Sequence, residues 1–211
     1  MVSEVFLERP QSRMSGEDRR QQIVRVAIDL FSRKGFRGTT TKEIAEQAGV
    51  SEAIIFRHFA TKRDLYSAIL DYKAAECAEL ILKALEEAAG RKDDRAVFRG
   101  LAFTLLELHR QDPTLMRLLL YSGLEGHELS TMFFETHVKK TRKFVADYIK
   151  QRIADKAFRR IDPKVAASAF FSMINHYAMA REIFKSAALE ISSEKAADAF
   201  VQIFLEGLLS R

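Results

Sequence analysis

The chain has 211 residues, of which 47% are hydrophobic and 30% are charged. This composition excludes a disordered chain, and the length is sufficient for a hydrophobic core in one large or two small domains. A single cysteine, Cys77, excludes an internal disulfide, and the N-terminus lacks the apolar stretch of a signal peptide.

The longest stretch without Asp, Glu, Lys or Arg covers residues 165–180, which is too short and too polar to cross a bilayer. We therefore expect a cytoplasmic protein without a membrane partner. Only three prolines and nine glycines occur, and apolar residues recur at helical spacing nearly throughout. No run of alternating β-branched residues suggests a strand, so the predicted fold class is all-α.

The formal net charge of +5 is concentrated near the N-terminus. Residues 9–63 contain twelve Lys or Arg and six Asp or Glu, which gives +6 there and −1 for the rest of the chain. A compact basic region attached to a nearly neutral body is typical of proteins that bind the phosphates of nucleic acids.

Residues 1–15 show little periodicity and are predicted to form a flexible arm. Arms of this kind can enter the minor groove of DNA, but a disordered tail without a function agrees equally well with this sequence. The first helix is predicted over residues 16–34, because an apolar stripe recurs there at helical spacing. Gly35 is expected to end it with a Schellman-type cap, in which Phe36 packs on Phe31.

Residues 40–59 are predicted to form two short helices joined by a tight turn. Thr40 and Glu43 have the spacing of a capping box, Gly49 suits the turn, and Ser51 is a candidate N-cap for the second helix. This arrangement is typical of a helix-turn-helix unit, whose second helix enters the major groove. An ordinary helical hairpin inside an all-α core is the alternative.

A fourth, long helix is predicted from Lys62 to residue 88 or 89, because Thr61 and Asp64 repeat the capping spacing. Five more helices are expected, which makes nine in all. Asp-Pro pairs, glycines and serines mark their ends. The expected ranges are 94–110, 113–122, 127–157, 163–187 and 193–210.

Residues 20–70 resemble the N-terminal domain of the TetR family of bacterial transcriptional regulators. The matching motifs are Ala27-x-x-Leu30-Phe31-x-x-x-Gly35-Phe36, Thr39-Thr40-x-x-x-Ile44-Ala45-x-x-Ala48-Gly49-Val50-Ser51, and Phe56-x-His58-Phe59-x-x-Lys62-x-x-Leu65. The resemblance implies a nine-helix protein that pairs as a homodimer, binds a palindromic operator in double-stranded DNA, and responds to a small-molecule effector. The corresponding divisions are an arm (1–15), a DNA-binding head (16–61) and a ligand-binding and dimerisation body (62–211).

The chain departs from the family pattern at two positions in the second helix. Phe56 stands where the family usually has Tyr, so a hydroxyl that could contact a phosphate is missing. Ala53 stands where Gly is common, and its methyl group could contact a thymine or restrict the fit.

The DNA contacts divide into positioning and reading residues. The resemblance implies phosphate contacts for Thr41, His58 and Lys62. Arg57 is the side chain suited to guanine, because only it could make a bidentate contact. The complete predicted DNA-binding set is Thr41, Lys42, Ser51, Ala53, Ile54, Phe56, Arg57, His58 and Lys62.

The last two helices are rich in small and aromatic residues, more than one protomer would cover. In the family these helices pair with their copies, which agrees with this composition, although some of the aromatics are expected to belong to the core of one protomer. The predicted dimer interface consists of Ala167, Phe170, Phe171, Ile174, Ala178, Ala197, Phe200, Ile203, Phe204 and Gly207.

A cavity for an apolar or aromatic small molecule is predicted in the body, with flexible and aromatic walls and a few polar groups. The alternative for each apolar residue is a place in the core. The predicted lining residues are Phe103, Leu106, His109, Met116, Leu119, Met132, Phe133, His137, Phe170, Met173, Asn175, His176 and Tyr177.

The predicted function is a transcriptional repressor that leaves its operator when the effector binds. Two alternatives remain open: an activator with the same fold, and a helical carrier or interaction protein whose head has lost DNA binding. An enzyme is not expected, because no motif for a nucleophile, a phosphate-binding glycine loop or a metalloprotease occurs. No cofactor or metal site is expected, and His58 has no partners at ligand spacing.

Overall fold

A computed structural model describes residues 14–126 and 128–209, and the side chains at 74–80, 82–84 and 128–129 are not described. The predicted arm therefore lies outside the described residues, apart from its last two positions, and so does the Cys77 side chain. No helix in the described ranges is long and apolar enough to cross a membrane.

The described residues form an all-helical fold. Apart from one isolated bridge between Phe158 and Leu209, they contain no β-structure. The helices are α1 (Gly16–Lys34), α2 (Thr41–Ala48), α3 (Glu52–His58), α4 (Lys62–Gly90), α5 (Asp94–Gln111), α6 (Thr114–Leu124), α7 (Glu128–Phe133), α8 (Lys139–Ala154), α9 (Pro163–Glu182) and α10 (Ser193–Leu208).

The helix expected at 127–157 is continuous in the described residues, but its middle part is π-helical instead of α-helical. α7 passes through a π-helical stretch, Phe134–Val138, directly into α8. If these segments are counted as one rod, the described residues contain the nine predicted helices. The prediction for α9 was too long, because the helix ends at Glu182 and only a short 3₁₀ turn, Ala187–Leu189, follows.

The end of α1 confirms the predicted aromatic contact but not the predicted cap. Phe36 stacks on Phe31 with ring centroids 6.0 Å apart, and Tyr66 meets both rings edge-on. Gly35 has φ 73° and ψ 179°, so its backbone is not in the left-handed helical conformation of a Schellman motif. The chain instead turns outward there and brings the next two backbone amides towards α6.

Two clusters of buried residues organise the molecule. The first lies among α1, α2, α3 and the start of α4, and Leu118 of α6 and Phe133 of α7 complete it. This core is therefore shared between the three N-terminal helices and the body. The second cluster lies among α4, α5, α8, α9 and α10, and the rings of Phe98, Phe170 and Phe204 all contact one another there.

This second cluster contains most of the residues that were predicted for the dimer interface. α5 packs against both α9 and α10, so it covers the apolar faces that were expected to await a partner. Phe200 is partly buried beside Tyr177, whereas Ile203 and Gly207 are exposed. Buried inside the single protomer are Ala167, Phe170, Phe171, Ile174, Ala178, Ala197 and Phe204.

The head joins the body through the C-terminal half of α6. Both carboxylate oxygens of Glu125 accept hydrogen bonds, from the backbone N–H groups of Phe36 and Arg37, each at 3.1 Å. The hydroxyl of Tyr121 donates to the carbonyl of Arg33 at 2.9 Å. A charged acceptor strengthens such bonds, so the end of α6 holds the turn after α1 in place.

Replacing Gly35 with Ala is expected to destabilise this junction. The conformation at Gly35 is essentially restricted to glycine, and an added Cβ would meet the Glu125 carboxylate and lie 2.9 Å from Tyr121 Cδ1. We expect a loss of at least about 2 kcal/mol in the free energy of unfolding, measured by denaturant titration.

The matched control is Gly49→Ala. Gly49 also has positive φ, at 65°, but an added Cβ there would have no neighbour within 4 Å. Only backbone strain of about 1–2 kcal/mol is expected for this control. Equal losses in the two variants would show that the packing of Gly35 against α6 contributes nothing.

Candidate DNA-reading surface and ligand cavity

The helix-turn-helix unit is held by short-range bonds that the sequence predicted. The N–H of Glu43 donates to Thr40 Oγ1 at 3.1 Å, and Glu43 Oε2 accepts the N–H of Thr40 at 2.9 Å. At the other end of α2, Gly49 is left-handed and the N–H of Val50 donates to the carbonyl of Ala45 at 2.9 Å. The capping box and the Schellman motif together fix both ends of α2.

Glu43 also links this unit to α1. Its Oε1 accepts a hydrogen bond from Lys34 Nζ at 2.7 Å. This bond, with those from Thr40, lowers the pKa of the Glu43 carboxyl group from 4.5 to about 2. The carboxylate therefore stays charged, and retains its bonds to the cap, at all but strongly acidic pH.

The exposed face of α3 is narrower than the sequence suggested. Ala53, Phe56 and Arg57 are exposed at i, i+3 and i+4, with 47% of Phe56 accessible. Arg57 makes no hydrogen bond or ion pair with the described residues. Ile54, expected to face outward, is instead partly buried and packs against the first core cluster. The face available for base contacts is therefore a stripe of two apolar side chains and one arginine.

His58, also expected outside, is only partly exposed. Its Nε2 atom is buried and has no hydrogen-bond partner in the described part of the chain. Because this nitrogen is buried, it is not accessible to a DNA phosphate in this conformation. The predicted phosphate contact of His58 stays a prediction that depends on the other ring nitrogen.

The remaining predicted contacts lie at the edges of α2 and α3. Lys42 is exposed, with Nζ 4.0 Å from Glu46 Oε1, and Ser51 is exposed with no side-chain cap bond. The hydroxyl of Thr41 donates to Glu52 Oε2 at 2.7 Å. A hydroxyl has one hydrogen to donate, so in this conformation Thr41 links α2 to α3 and does not have that hydrogen free for a phosphate.

Lys62 has neighbours other than the predicted phosphate. Its Nζ lies 4.2 Å from the centroid of the Phe36 ring, a cation–π distance. Burial lowers the pKa of Lys62 from its usual value, and the negative charges of Glu125 and Glu43 oppose that shift. Lys62 is therefore part of the head–body junction in this structure.

The body contains a cavity of about 540 Å³ between α5, α6, α8, α9 and the π-helical stretch. This volume lies in the range of small-molecule sites. Predicted residues on its wall are His109, Met116, Leu119, Phe133, His137, Asn175 and His176.

The other predicted lining residues lie elsewhere, because they face the second core cluster or the outside. Leu106 and Phe170 are fully buried in that cluster, and Phe103 and Met173 pack against it. The hydroxyl of Tyr177 donates to the carbonyl of Leu189 at 3.0 Å, and Met132 is exposed.

Several wall residues were missed, and they are spread over α4, α5, α6, the π-helical stretch, α8 and α9. At the start of α8 and just before it, Val138, Thr141, Arg142 and Val145 recur at i, i+3, i+4 and i+7, a helical spacing that could have indicated one buried face. The missed residues are Ile81, Leu105, Leu108, Asp112, Leu115, Leu120, Phe134, Val138, Thr141, Arg142, Phe171, Ser172 and Met179.

Some polar atoms of the cavity have hydrogen-bond partners within the protein, and others have none among the described residues. His137 Nε2 lies 3.1 Å from Asp71 Oδ1, and Asp112 accepts a hydrogen bond from Lys73 Nζ at 2.9 Å. Nε2 of His109 is buried without a partner in the described ranges. Burial lowers the pKa of His109, while contacts with Asn175 and Glu182 oppose the shift. The His109 ring is therefore neutral near pH 7.

These features define a class: an all-helical protein with a helix-turn-helix head attached to a body that contains a ligand-sized cavity. Residues 23–69 match the family model described as bacterial regulatory proteins, tetR family. Residues 99–207 match the model described as AefR-like transcriptional repressor, C-terminal domain. The chain belongs to the TetR family of DNA-binding transcriptional regulators.

Individual relatives agree with this assignment. The HTH-type transcriptional regulator YvkB of Bacillus subtilis is 26% identical over 188 residues, which cover 89% of this chain and 96% of YvkB. A regulatory protein of the tetR family from Rhodococcus RHA1 has the same fold, with a TM-score of 0.72, 21% identity and coverage of 92% and 98%. AibR, solved with isovaleryl coenzyme A and operator DNA, has a TM-score of 0.67, 20% identity and coverage of 88% and 97%.

Within the ranges that the structure describes, no three His, Cys, Asp or Glu side chains are grouped so that they could hold a metal ion.

Glu43→Gln is expected to make the stability of the head less dependent on pH. Because the carboxyl pKa is lower in the folded protein than the usual 4.5, its stabilisation is complete above that value and is lost as the pH falls towards about 2. The difference in melting temperature between wild type and variant, followed by circular dichroism, should be constant above about pH 5.5 and narrow below about pH 4.5.

Glu46→Gln is the matched control, since it removes a carboxylate on the same helix that lies 4.0 Å from Lys42. A Glu43→Gln difference that stays constant down to about pH 3 would contradict the role given to the Glu43 carboxylate.

Proposed function

We propose that this protein is a dimeric transcriptional repressor that leaves a palindromic operator when a small molecule occupies the cavity. Family membership supports DNA binding, and the ligand-sized cavity supports an effector. The observation that carries the proposal is the position of α6, which contributes to the cavity wall and also contacts the head. AibR, a structural neighbour, was solved with both an acyl coenzyme A and operator DNA.

α6 contacts both regions. Met116 lines the cavity, and Leu119 lines the cavity and also packs against the first core cluster. Leu118 belongs to the first core cluster, and Tyr121 and Glu125 bond the end of α1 and the turn after it. A ligand that displaces α6 would therefore move the contacts that orient the head. It lowers operator affinity only if it binds the displaced conformation more tightly.

A second route between effector and operator runs through α4. This helix bridges head and body, and Ile81 lies on the cavity wall. The bonds of Glu125 to the amides of Phe36 and Arg37 are nevertheless the more direct connection, because they join a helix of the cavity wall to the turn before α2.

The proposed dimer uses the faces of α9 and α10 that the protomer leaves uncovered. Small and apolar residues recur there at helical spacing, and 63% of Ile203 is exposed. Small side chains allow two helices to approach closely, and a two-fold dimer presents two reading helices to a palindrome. The proposed contact residues are Val165, Ala169, Ser172, Ala199, Ile203 and Gly207.

Arg57→Ala tests the proposed reading role on a duplex from upstream of the protein's own gene. Losing a guanine contact should reduce the preference for this duplex over a scrambled one by about 1–3 kcal/mol, measured by fluorescence anisotropy. Arg25→Ala, which removes an exposed arginine from α1, should leave the preference unchanged.

In vitro transcription from the same promoter should fall when wild-type protein is added. A rise would indicate an activator, and no specific binding would favour the carrier.

Ile203→Lys tests the proposed dimer. A lysine at this position would place charges of the same sign opposite each other across the two-fold axis, so the variant should elute as a monomer, whereas the wild type should have twice the mass of the chain. Size-exclusion chromatography with light scattering measures this. Leu124→Lys, at a residue that is also highly exposed but lies on α6, should remain dimeric. A dimeric Ile203→Lys protein would exclude this face.

A further inference from the structure

The guanidinium group of Arg142 lies in the wall of the cavity without a counter-charge. Its Nε atom is enclosed and has no hydrogen-bond partner among the described residues. Its contact within that set is with the ring of Phe171, whose centroid lies 5.8 Å from Cζ. Arg142 is thus held by an aromatic side chain and by no carboxylate.

The Nε atom of Arg142 is buried, whereas the side chain as a whole is only partly buried. Guanidinium stays protonated, so its charge beside a largely apolar wall is stabilised best by a partner of opposite sign. Asp112 is the carboxylate on the described wall, and it is already bonded by Lys73 Nζ and by the N–H of Thr114, each at 2.9 Å. An anionic partner for Arg142 would therefore have to come from a bound ligand.

The other groups of the wall fit the same ligand. Most are aliphatic or aromatic, which suits an apolar body. The buried Nε2 of His109 also lacks a partner among the described residues, and Thr141 and Asn175 offer uncharged hydrogen-bonding groups. Arg142 is the one permanent cation among the described lining residues, so a cationic ligand would meet repulsion there.

We propose that the cavity binds an amphipathic anion, with an apolar body against α5 and α6 and a single carboxylate paired with Arg142. The inference depends on the proposed role of the cavity as the effector site and specifies the class of effector. It narrows the expectation of an apolar or aromatic molecule to one with an acidic head group, and it excludes lipophilic cations.

Calorimetric titration of the full chain with three head groups on identical tails tests this. The probes are decanoate, decanol and decyltrimethylammonium, repeated with octyl and dodecyl tails so that tail length is not decisive. Because hydrogen bonds to charged groups are stronger than neutral ones, the carboxylate should bind at least about tenfold more tightly than the alcohol. The ammonium compound should bind most weakly.

Arg142→Gln should remove the preference for the carboxylate and leave the affinity for the alcohol within about twofold, because the apolar walls are unchanged. Lys143→Gln is the matched control. Lys143 is the exposed next residue, paired with Asp147 at 2.5 Å, and its replacement should preserve the preference. Far-ultraviolet circular dichroism and the retained binding of the alcohol show that the Arg142 variant is folded.

The proposal is overturned if alcohol and carboxylate bind equally, if no carboxylate binds, or if the preference survives in Arg142→Gln. Operator binding, measured on the same samples, separates this from the proposed function. Specific DNA binding without any carboxylate binding would reject the effector class alone. Carboxylate binding that leaves operator affinity unchanged would support the effector class and reject ligand-induced release.

Discussion

The orientation of the head relative to the body depends on the hydrogen bonds that the carboxylate of Glu125 accepts. This carboxylate accepts the backbone amides of Phe36 and Arg37 at the turn that leads from α1 into the helix-turn-helix unit. Gly35 leaves the space that admits it, and Lys62 adds a positive charge nearby. The orientation of the reading helix is therefore tied to a residue that follows directly after a helix of the cavity wall.

Contacts between near neighbours could be predicted from the sequence, and contacts between distant ones could not. Thr40 and Glu43 are three residues apart, so helix geometry alone brings their bonding groups together. Phe36 and Glu125 are separated by 89 residues, and no periodicity connects them. The reading surface was foreseen because it is local, although Ile54 proved to face the core, since a seven-residue helix leaves few residues to cover one side.

The apolar patterns indicated that a residue is buried but not which surface covers it. Phe170 and Phe204 looked like candidates for a subunit interface, and the sequence could not show that α5 of the same chain occupies that space. Arg142 on α8 was not predicted to line the cavity, because a charged side chain among lysines does not show which helices lie opposite it. Identifying either surface required knowing which helices are neighbours.

The π-helical stretch Phe134–Val138 allows one rod to serve two cores. Phe133, just before it, packs with the head, whereas Val145 and Ile149, beyond it, pack with the body. Each added residue rotates an α-helix by about 100°, so the angular spacing between these contacts is fixed in a regular helix. The wide turn takes up an extra residue locally and keeps both ends in phase with their own cluster. A regular α-helix with one residue fewer over this stretch would keep the same register, so the π-helical turn marks where one additional residue is accommodated between the two cores.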